Sequence, residues 1–97
     1  MMVKAYWINC YRSVTDEAAL ARYVKVAGPA IVARGGRILA RGLPAKTYEA
    51  GLAERTVVIE FESLERAIAA FESPEYQAAA DILRGVAERD IRIVPGE

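Results

Sequence analysis

Two oppositely charged residues, Arg41 and Glu60, lie on segments that the sequence predicts as paired strands. Residues 37–43 and 55–62 are rich in strand-forming side chains, and an antiparallel hairpin between them sets Arg41 nearly opposite Glu60. A register slip of one residue would send the two side chains to different faces. Arg41 could hold a carboxylate or enolate oxygen while Glu60 acts as a catalytic base, or the two could form a cross-strand ion pair. Arg55 could belong to the same charged cluster.

Tyr76 is a second candidate, because it follows a helix-start signal at Ser73 and Pro74. Its hydroxyl falls on the apolar stripe of the predicted helix, where it needs a hydrogen-bond partner. Tyr6 and Arg84 could converge with Tyr76 on a small polar ligand. The alternative is ordinary core packing of Tyr76 with a satisfied hydroxyl.

The composition excludes several kinds of site. The chain has no His and only one cysteine, Cys10, so it lacks the commonest general base, the commonest metal ligand and any disulfide within the chain. We therefore expect no metal and no cofactor, and we expect Cys10 to be a small buried hydrophobe. Gly35 and Gly36 do not form a phosphate loop, because they follow a predicted helix and not a strand.

Charge and hydropathy limit the partners. Lys plus Arg and Asp plus Glu are each 13 in 97 residues, and this zero net charge argues against nucleic-acid binding. No stretch approaches the roughly 20 apolar residues of a membrane span, so we expect a cytoplasmic protein without a membrane partner. The hydrophobic fraction of 54% exceeds the usual ~45–50%. This surplus favours burial against a second chain.

The predicted elements follow the order β-α-β-β-α-β within one domain, residues 1–97. Thr15 is expected to cap the first helix, Pro29 to kink it, and Gly51 to mark the reversal of the hairpin. The predicted strands are residues 3–11, 37–43 with a continuation at 46–49, 55–62 and 90–94. Two consecutive helices are expected to begin at Ser63 and Ser73, and the apolar stripe of the second helix runs to Ala87.

This order is typical of the ferredoxin-like α+β fold, in which an antiparallel sheet carries its helices on one face. The first strand has apolar residues on both of its faces, with Trp7 on one face and Ile8 on the other. The uncovered face therefore needs another layer, and a second copy of the sheet would supply it. We predict a homodimer.

Five segments carry a resemblance to a known family: Ala5-Tyr6-Trp7-Ile8, Gly35-Gly36-Arg37, Arg41-Gly42, Val57-Val58-Ile59-Glu60-Phe61 and Ser73-Pro74-Glu75-Tyr76-Gln77-Ala78. The chain resembles the bacterial family called domain of unknown function 1330, within the dimeric α/β barrel superfamily. The resemblance implies a homodimer whose sheets pack face to face, with a cleft between sheet and helices in each protomer. The chain departs from the family pattern at Leu43, where a second Gly is frequent.

Some members of that superfamily oxidise haem or quinol-like substrates, and Trp7 with Asn9 is similar to the polar pocket of such enzymes. The absence of His argues against a haem-binding member of this kind. The alternative is that Trp7 is ordinary core and Asn9 a polar group at a strand edge.

Three functions follow from these observations. The first is a small-molecule binding domain for a polar or carboxylate-bearing ligand, with Tyr6, Asn9, Arg41, Glu60, Tyr76 and Arg84 as the candidate ligand-binding residues. The second is a cofactor-free isomerase or monooxygenase acting on a small enolisable or aromatic substrate, with Glu60 as the candidate catalytic residue. The third is a purely structural dimerisation module.

Overall fold

The computed structural model describes residues 3–97 of the chain, and Met1 and Met2 lie outside the described residues. The elements are β1 (Ala5–Val14), α1 (Glu17–Ala33), β2 (Arg37–Gly42), β3 (Thr56–Phe61), α2 (Leu64–Phe71), α3 (Pro74–Ile82) and β4 (Ala87–Pro95). The strands form one sheet in the order β2-β3-β1-β4, and every neighbouring pair is antiparallel. This confirms the predicted α+β ferredoxin-like fold.

Helix α1 differs from its prediction at the N-cap. Asp16 is the N-cap in place of Thr15, because the Asp16 carboxylate accepts from the backbone N–H of Ala19 at 3.1 Å, whereas the Thr15 hydroxyl donates to the carbonyl of Val86 at 3.0 Å. Pro29 lies inside the helix without ending it. A proline removes one backbone hydrogen bond, and the residues on either side remain anchored because Ala27 and Ile31 are buried in the core.

The two following helices begin where the sequence predicts. Ser63 accepts from the backbone N–H of Arg66, and Ser73 accepts from that of Tyr76, each at 3.2 Å. Helix α3 ends at Ile82 and not at Ala87. Gly85, with φ of 75°, adopts the left-handed conformation that ends a helix, and the chain then enters β4.

All three helices cover the same face of the sheet. In β1 the alternate residues Ala5, Trp7, Asn9 and Tyr11 point toward the helices, and each is at most 2% exposed. The side chains on the opposite face of β1 are more exposed, and Cys10 is among them. The prediction of a buried Cys10 is therefore wrong, because strand alternation places it on the uncovered face. No helix among residues 3–97 has both the length and the apolar character needed to cross a bilayer.

The hairpin of β2 and β3 has a different register from the predicted one. Arg37 lies opposite Glu60, Ile38 opposite Ile59, and the pairing then shifts by one residue. Residue 39 is the extra residue of this β-bulge. Beyond it, Arg41 lies opposite Val57. The predicted pairing of Arg41 with Glu60 is wrong, because Glu60 already lies opposite Arg37 before the bulge, and the chain does not reverse symmetrically about Gly51.

The connection between β2 and β3 is also longer than predicted. Residues 43–55 form no strand, so the expected continuation at residues 46–49 is wrong. The reversal near Gly51 is present as a local turn in which the Gly51 N–H donates to the carbonyl of Tyr48 at 2.9 Å. A single turn at Gly51 therefore does not set the register of the hairpin.

Candidate functional site

A cleft lies between helix α1 and the inner face of the sheet. It encloses about 350 Å³, including the part open to solvent. Its polar lining comes from β1, α1, β2 and the residue before β3: Asn9, Tyr11, Tyr23, Arg41 and Arg55. Its apolar lining comes from α1 and the inner face of β2 and β3: Val24, Ala27, Ile31, Ile38, Val57 and Ile59.

The polar residues and the isoleucines of β2 and β3 occupy different ends of the cleft, and Val57 lies at the polar end, between Asn9 and Arg41 in the sheet. At one end the N–H of Tyr11 donates to the carbonyl of Arg55 at 3.0 Å, so these residues are neighbours across two strands. Toward the other end, Ile59 lies between Trp7 and Ile38 in the sheet. The cleft is therefore amphipathic, with a polar end near Tyr11 and Arg55 and an apolar end near Ile38 and Ile59.

Asn9 presents hydrogen-bond donors at the polar end. The indole N–H of Trp7 donates to Oδ1 of Asn9. An indole nitrogen can only donate, so the oxygen of the Asn9 amide must face Trp7. The Nδ2 group of Asn9, which lines the cleft, then remains as a donor.

Two buried polar atoms beside the cleft have no hydrogen-bond partner among residues 3–97: the hydroxyl of Tyr11 and Nε of Arg55, both of which are inaccessible. The Arg89 guanidinium lies close enough to the Tyr11 hydroxyl to act on its pKa. A buried polar group without a partner is costly, and native proteins contain few of them. Burial, partly offset by the nearby Arg89 and Arg55, raises the pKa of the Tyr11 phenol above its ordinary value. The Tyr11 phenol therefore remains neutral near neutral pH.

A second polar cluster joins this end of the cleft to the core. The hydroxyls of Tyr23 and Tyr76 lie 2.8 Å apart, and Nη1 of Arg89 donates to Tyr23 at 3.1 Å and to Tyr76 at 3.0 Å. The Arg89 guanidinium also lies 5.8 Å from the ring centre of Tyr11 and 5.2 Å from that of Tyr23. Burial strongly raises the pKa of Tyr23, so its hydroxyl stays protonated.

Arg89 remains a cation in this cluster although it is half-buried. Burial alone would lower the pKa of Arg89, but the neighbouring hydroxyls of Tyr76, Tyr23 and Tyr11 outweigh that effect and raise it. Among residues 3–97, none of the ion pairs includes Arg41, Arg55 or Arg89. The site is therefore cationic and carries no internal counter-ion.

Two of the sequence candidates lie on the other face of the sheet. The Tyr6 hydroxyl donates to Oε2 of Glu60 at 3.1 Å, and Nζ of Lys4 lies 3.5 Å from Oε1 of Glu60. Tyr6 and Glu60 pair directly across β1 and β3. Strand alternation places both side chains on the face of the sheet away from Trp7 and Ile59. They do not line the cleft between α1 and the sheet.

The remaining candidates are divided between the cleft and the surface. Asn9 and Arg41 line the cleft, and Tyr76 reaches it through its hydrogen bond to Tyr23. Arg84 lies just after α3, where its side chain is 79% exposed and pairs with Asp81. Arg84 does not converge with Tyr76.

Three residues of the site were not candidates from sequence: Tyr11, Tyr23 and Arg89. Strand alternation was the available signal for Tyr11, because it shares a face with Asn9 two residues earlier. Tyr23 lies on the apolar stripe of α1, where an aromatic residue indicates core. Nothing local marks Arg89, because its register opposite Tyr11 depends on how β1 and β4 pair. Within residues 3–97, no three Cys, Asp or Glu side chains gather into a group that could hold a metal ion.

The family model for the domain of unknown function 1330 matches residues 4–97. The chain belongs to this family. Its membership confirms the resemblance found in the sequence. None of the curated proteins resembles the chain significantly in sequence.

Several solved structures have the same fold. A protein of unknown function from Rhodopseudomonas palustris has a TM-score of 0.69 at 19% identity, covering 98% of this chain and 82% of that one. A dimeric ferredoxin-like protein from Thermobifida fusca has a TM-score of 0.68 at 15% identity, covering 98% and 92%. SnoaB, a cofactor-independent oxygenase from Streptomyces nogalater, has a TM-score of 0.63 at 12% identity, covering 98% and 94%. At these identities the likeness shows the fold alone.

Proposed function

We propose that this member of the domain of unknown function 1330 family binds a small amphipathic molecule that carries a carboxylate or a similar oxyanion. The observation that carries the proposal is the pair of buried, unpartnered polar atoms in one cleft, the Tyr11 hydroxyl and Nε of Arg55. Neither atom is accessible in this structure, so an oxyanion at the polar end would accept from them once the Tyr11 and Arg55 side chains turn toward it. Binding would thereby remove the cost of leaving two donors unsatisfied.

The charge of the cleft supports the same ligand class. Arg41 and Arg55 line it, and Arg89 lies behind Tyr11 and Tyr23, with no carboxylate paired to any of the three in the described part of the chain. Hydrogen bonds from arginine to a carboxylate are roughly twice as strong as neutral ones. An anionic ligand would supply the missing counter-charge.

The shape of the cleft limits the body of the ligand. The cleft is small and partly open: its volume of about 350 Å³ includes open solvent, so only part of a ligand would be enclosed. The end opposite the arginines is lined by Ile31, Ile38 and Ile59. We expect a short aliphatic or single-ring molecule whose apolar part packs on these isoleucines.

Thermal unfolding with a panel of small aliphatic and aromatic carboxylates tests the proposal. The midpoint of the wild type should rise with ligand concentration as mass action requires. Arg55→Met should lose most of this rise. Arg22→Met is the matched control, because Arg22 is exposed on α1 and does not line the cleft. A panel that leaves the wild-type midpoint unchanged at millimolar concentrations would refute the proposal.

The second candidate function is cofactor-free catalysis on an enolisable or aromatic substrate. The fold shared with SnoaB favours it, and donors aimed at one oxygen could stabilise a developing enolate. Glu60 cannot serve as the base in this cleft, since it lies on the opposite face of the sheet. The phenols of Tyr11 and Tyr23 are held protonated by burial. Binding therefore fits the site better than proton abstraction, and deuterium exchange at an enolisable carbon would test the catalytic alternative.

We further propose that the chain forms a homodimer through the uncovered face of the sheet. Ile8 and Val58 pair at the middle of this face, and Val94 on β4 is 45% exposed. The related Thermobifida fusca protein is described as dimeric. A purely structural dimerisation module would use this face, but it would not need the unpartnered polar atoms on the other side of the sheet.

A further inference from the structure

We propose that Arg89 and Tyr76 together point the hydroxyl proton of Tyr23 into the cleft, and that this makes the site select carboxylates over the matching neutral amides. The inference rests on the proposed function and specifies its ligand class. It makes Tyr23 a specificity-determining residue. Tyr76 and Arg89 are positioning residues that act through it.

The direction of the hydrogen bonds follows from which groups can only donate. Nη1 of Arg89 donates to the hydroxyl oxygens of Tyr23 and Tyr76 at 3.1 and 3.0 Å, and a guanidinium accepts nothing in return. The 2.8 Å contact between the two tyrosine hydroxyls then requires one of them to donate to the other. The donor of that bond decides which tyrosine keeps a free proton.

Burial identifies Tyr76 as that donor. Tyr76 is completely buried, and its hydroxyl contacts only Tyr23 and Arg89 among the polar groups of residues 3–97. If Tyr23 donated to Tyr76, the proton of Tyr76 would be left without an acceptor inside the core, which native proteins rarely tolerate. With Tyr76 as donor, the Tyr23 oxygen accepts twice. The proton of Tyr23 is then free to point into the cleft that Tyr23 lines.

The cleft consequently offers almost only donors. Asn9 presents Nδ2, because its oxygen is bound to Trp7, and Arg41 and Arg55 line the cleft with side chains that only donate. Tyr23 adds an O–H, and the hydroxyl of Tyr11 is the one group of the polar end that can also accept. Such a site matches a ligand whose oxygens only accept.

A carboxylate and its amide have nearly the same shape but different hydrogen-bonding groups. Both oxygens of a carboxylate accept, whereas an amide replaces one of them with an NH₂ group that donates. An amide in this cleft would set two donors against the N–H and O–H groups of the site, which costs affinity because both sides lose their bonds to water. The arrangement therefore excludes the amide as well as attracting the acid.

Calorimetric titration of matched pairs, benzoate with benzamide and butyrate with butyramide, tests the inference. The wild type should bind each acid more tightly than its amide. Tyr23→Phe should lower the acid-to-amide affinity ratio by roughly tenfold or more, the effect of one hydrogen bond to a charged group. Arg89→Leu should lower the acid-to-amide ratio by a smaller factor, because without Arg89 the hydroxyl of Tyr23 could donate to that of Tyr76 in part of the molecules. Tyr48→Phe, at an exposed tyrosine, should leave it unchanged.

The outcomes separate this inference from the proposed function. Acid binding that depends on Arg55 but keeps the same acid-to-amide ratio in Tyr23→Phe would overturn the inference and leave the function standing. No acid binding to the wild type would overturn both. If Tyr23→Phe does not fold, NMR of the wild-type hydroxyl protons decides: added benzoate should shift the proton of Tyr23 downfield, and an unchanged Tyr23 signal with benzoate bound would refute the inference.

Discussion

The indole N–H of Trp7 donates to the side-chain oxygen of Asn9, two residues further along the same strand. Both side chains are at most 2% exposed. The bond links the aromatic core, where Trp7 packs edge-on against Tyr76 with ring centres 4.6 Å apart, to the polar end of the cleft. Asn9 thus satisfies a core donor with one end of its amide and presents the other end to the cleft.

Two substitutions at Asn9 separate these roles. Asn9→Leu leaves the indole N–H of Trp7 buried without an acceptor and should lower the free energy of unfolding by about 1–3 kcal/mol in urea titrations. Asn9→Asp keeps an acceptor for Trp7 but adds a carboxylate to the cleft, so it should abolish the thermal stabilisation by added carboxylates. If benzoate raises the unfolding midpoint of Asn9→Asp as much as that of the wild type, this account is wrong.

Arg41 should contribute to ligand binding and little to stability. It lies opposite Val57 and lines the cleft, without a carboxylate partner among the described residues. Arg41→Met should change the free energy of unfolding by about 1 kcal/mol or less and weaken the stabilisation by small carboxylates. Arg37→Met is the matched control, because Arg37 lies on the same strand opposite Glu60. Equal ligand responses in the two variants would remove Arg41 from the site.

The stability of the protein should fall at alkaline pH, in part because of Tyr23. Burial raises the pKa of Tyr23 in the folded state, whereas the unfolded chain has the ordinary value of about 10. Below that value both states keep the proton and the full stability is present. Above it the unfolded state loses the proton first, so stability declines as pH rises. Urea unfolding between about pH 9 and 11 should show a shallower decline for Tyr23→Phe than for Tyr48→Phe.

A charge in the middle of the uncovered sheet face should dissociate the proposed homodimer. Val58 is paired with Ile8 and Ala40 and lies only partly exposed on that face. Val58→Asp would place a carboxylate in the apolar contact, and light scattering at micromolar concentration should then give the mass of one chain. Val26→Asp, on the exposed side of α1, should remain dimeric. A wild-type protein that is already monomeric would refute the proposed homodimer.

Two glycines should differ in how much they tolerate alanine. A Cβ at Gly36 would lie 2.5 Å from Cγ2 of Ile31 and 2.9 Å from Cζ of Phe61, so Gly36→Ala should cost about 1–3 kcal/mol. A Cβ at Gly28 meets nothing within 4 Å outside its chain neighbours and its own helix. The helix propensity gained in Gly28→Ala is opposed by the ring of Pro29, which restricts the residue before it, so this change should cost less than Gly36→Ala. Urea unfolding measures both, and a Gly28→Ala that costs as much as Gly36→Ala would contradict the packing described for Gly36.

Local signals explain which features were predictable from the sequence. The caps at Ser63 and Ser73 depend on hydrogen bonds within one turn, so residue type and spacing were sufficient to place α2 and α3. The order of elements and the hydrophobic alternation of β1 similarly gave the sheet and its uncovered face. The placement of Asn9 beside a pocket follows from that alternation.

The grouping of the site residues depends on long-range register, which composition and spacing do not determine. Tyr6 and Glu60 pair as neighbours across two strands, but they do so on the face away from α1. Tyr23 and Arg89 come from a helix and a strand that are far apart in sequence. Their contact depends on how α1 crosses the sheet, so no local pattern predicts it.

The bulge at Leu39 makes the pairing of β2 as important as the identity of its residues. Ile38 and Arg41 are three residues apart, so regular alternation would place their side chains on opposite faces, and the extra residue at 39 lets both line the cleft. A family member with one residue fewer between these positions would have its isoleucine and arginine two residues apart, which regular alternation also places on one face. A family member that keeps the present spacing but pairs this strand without a bulge would lack the cationic end of the cleft.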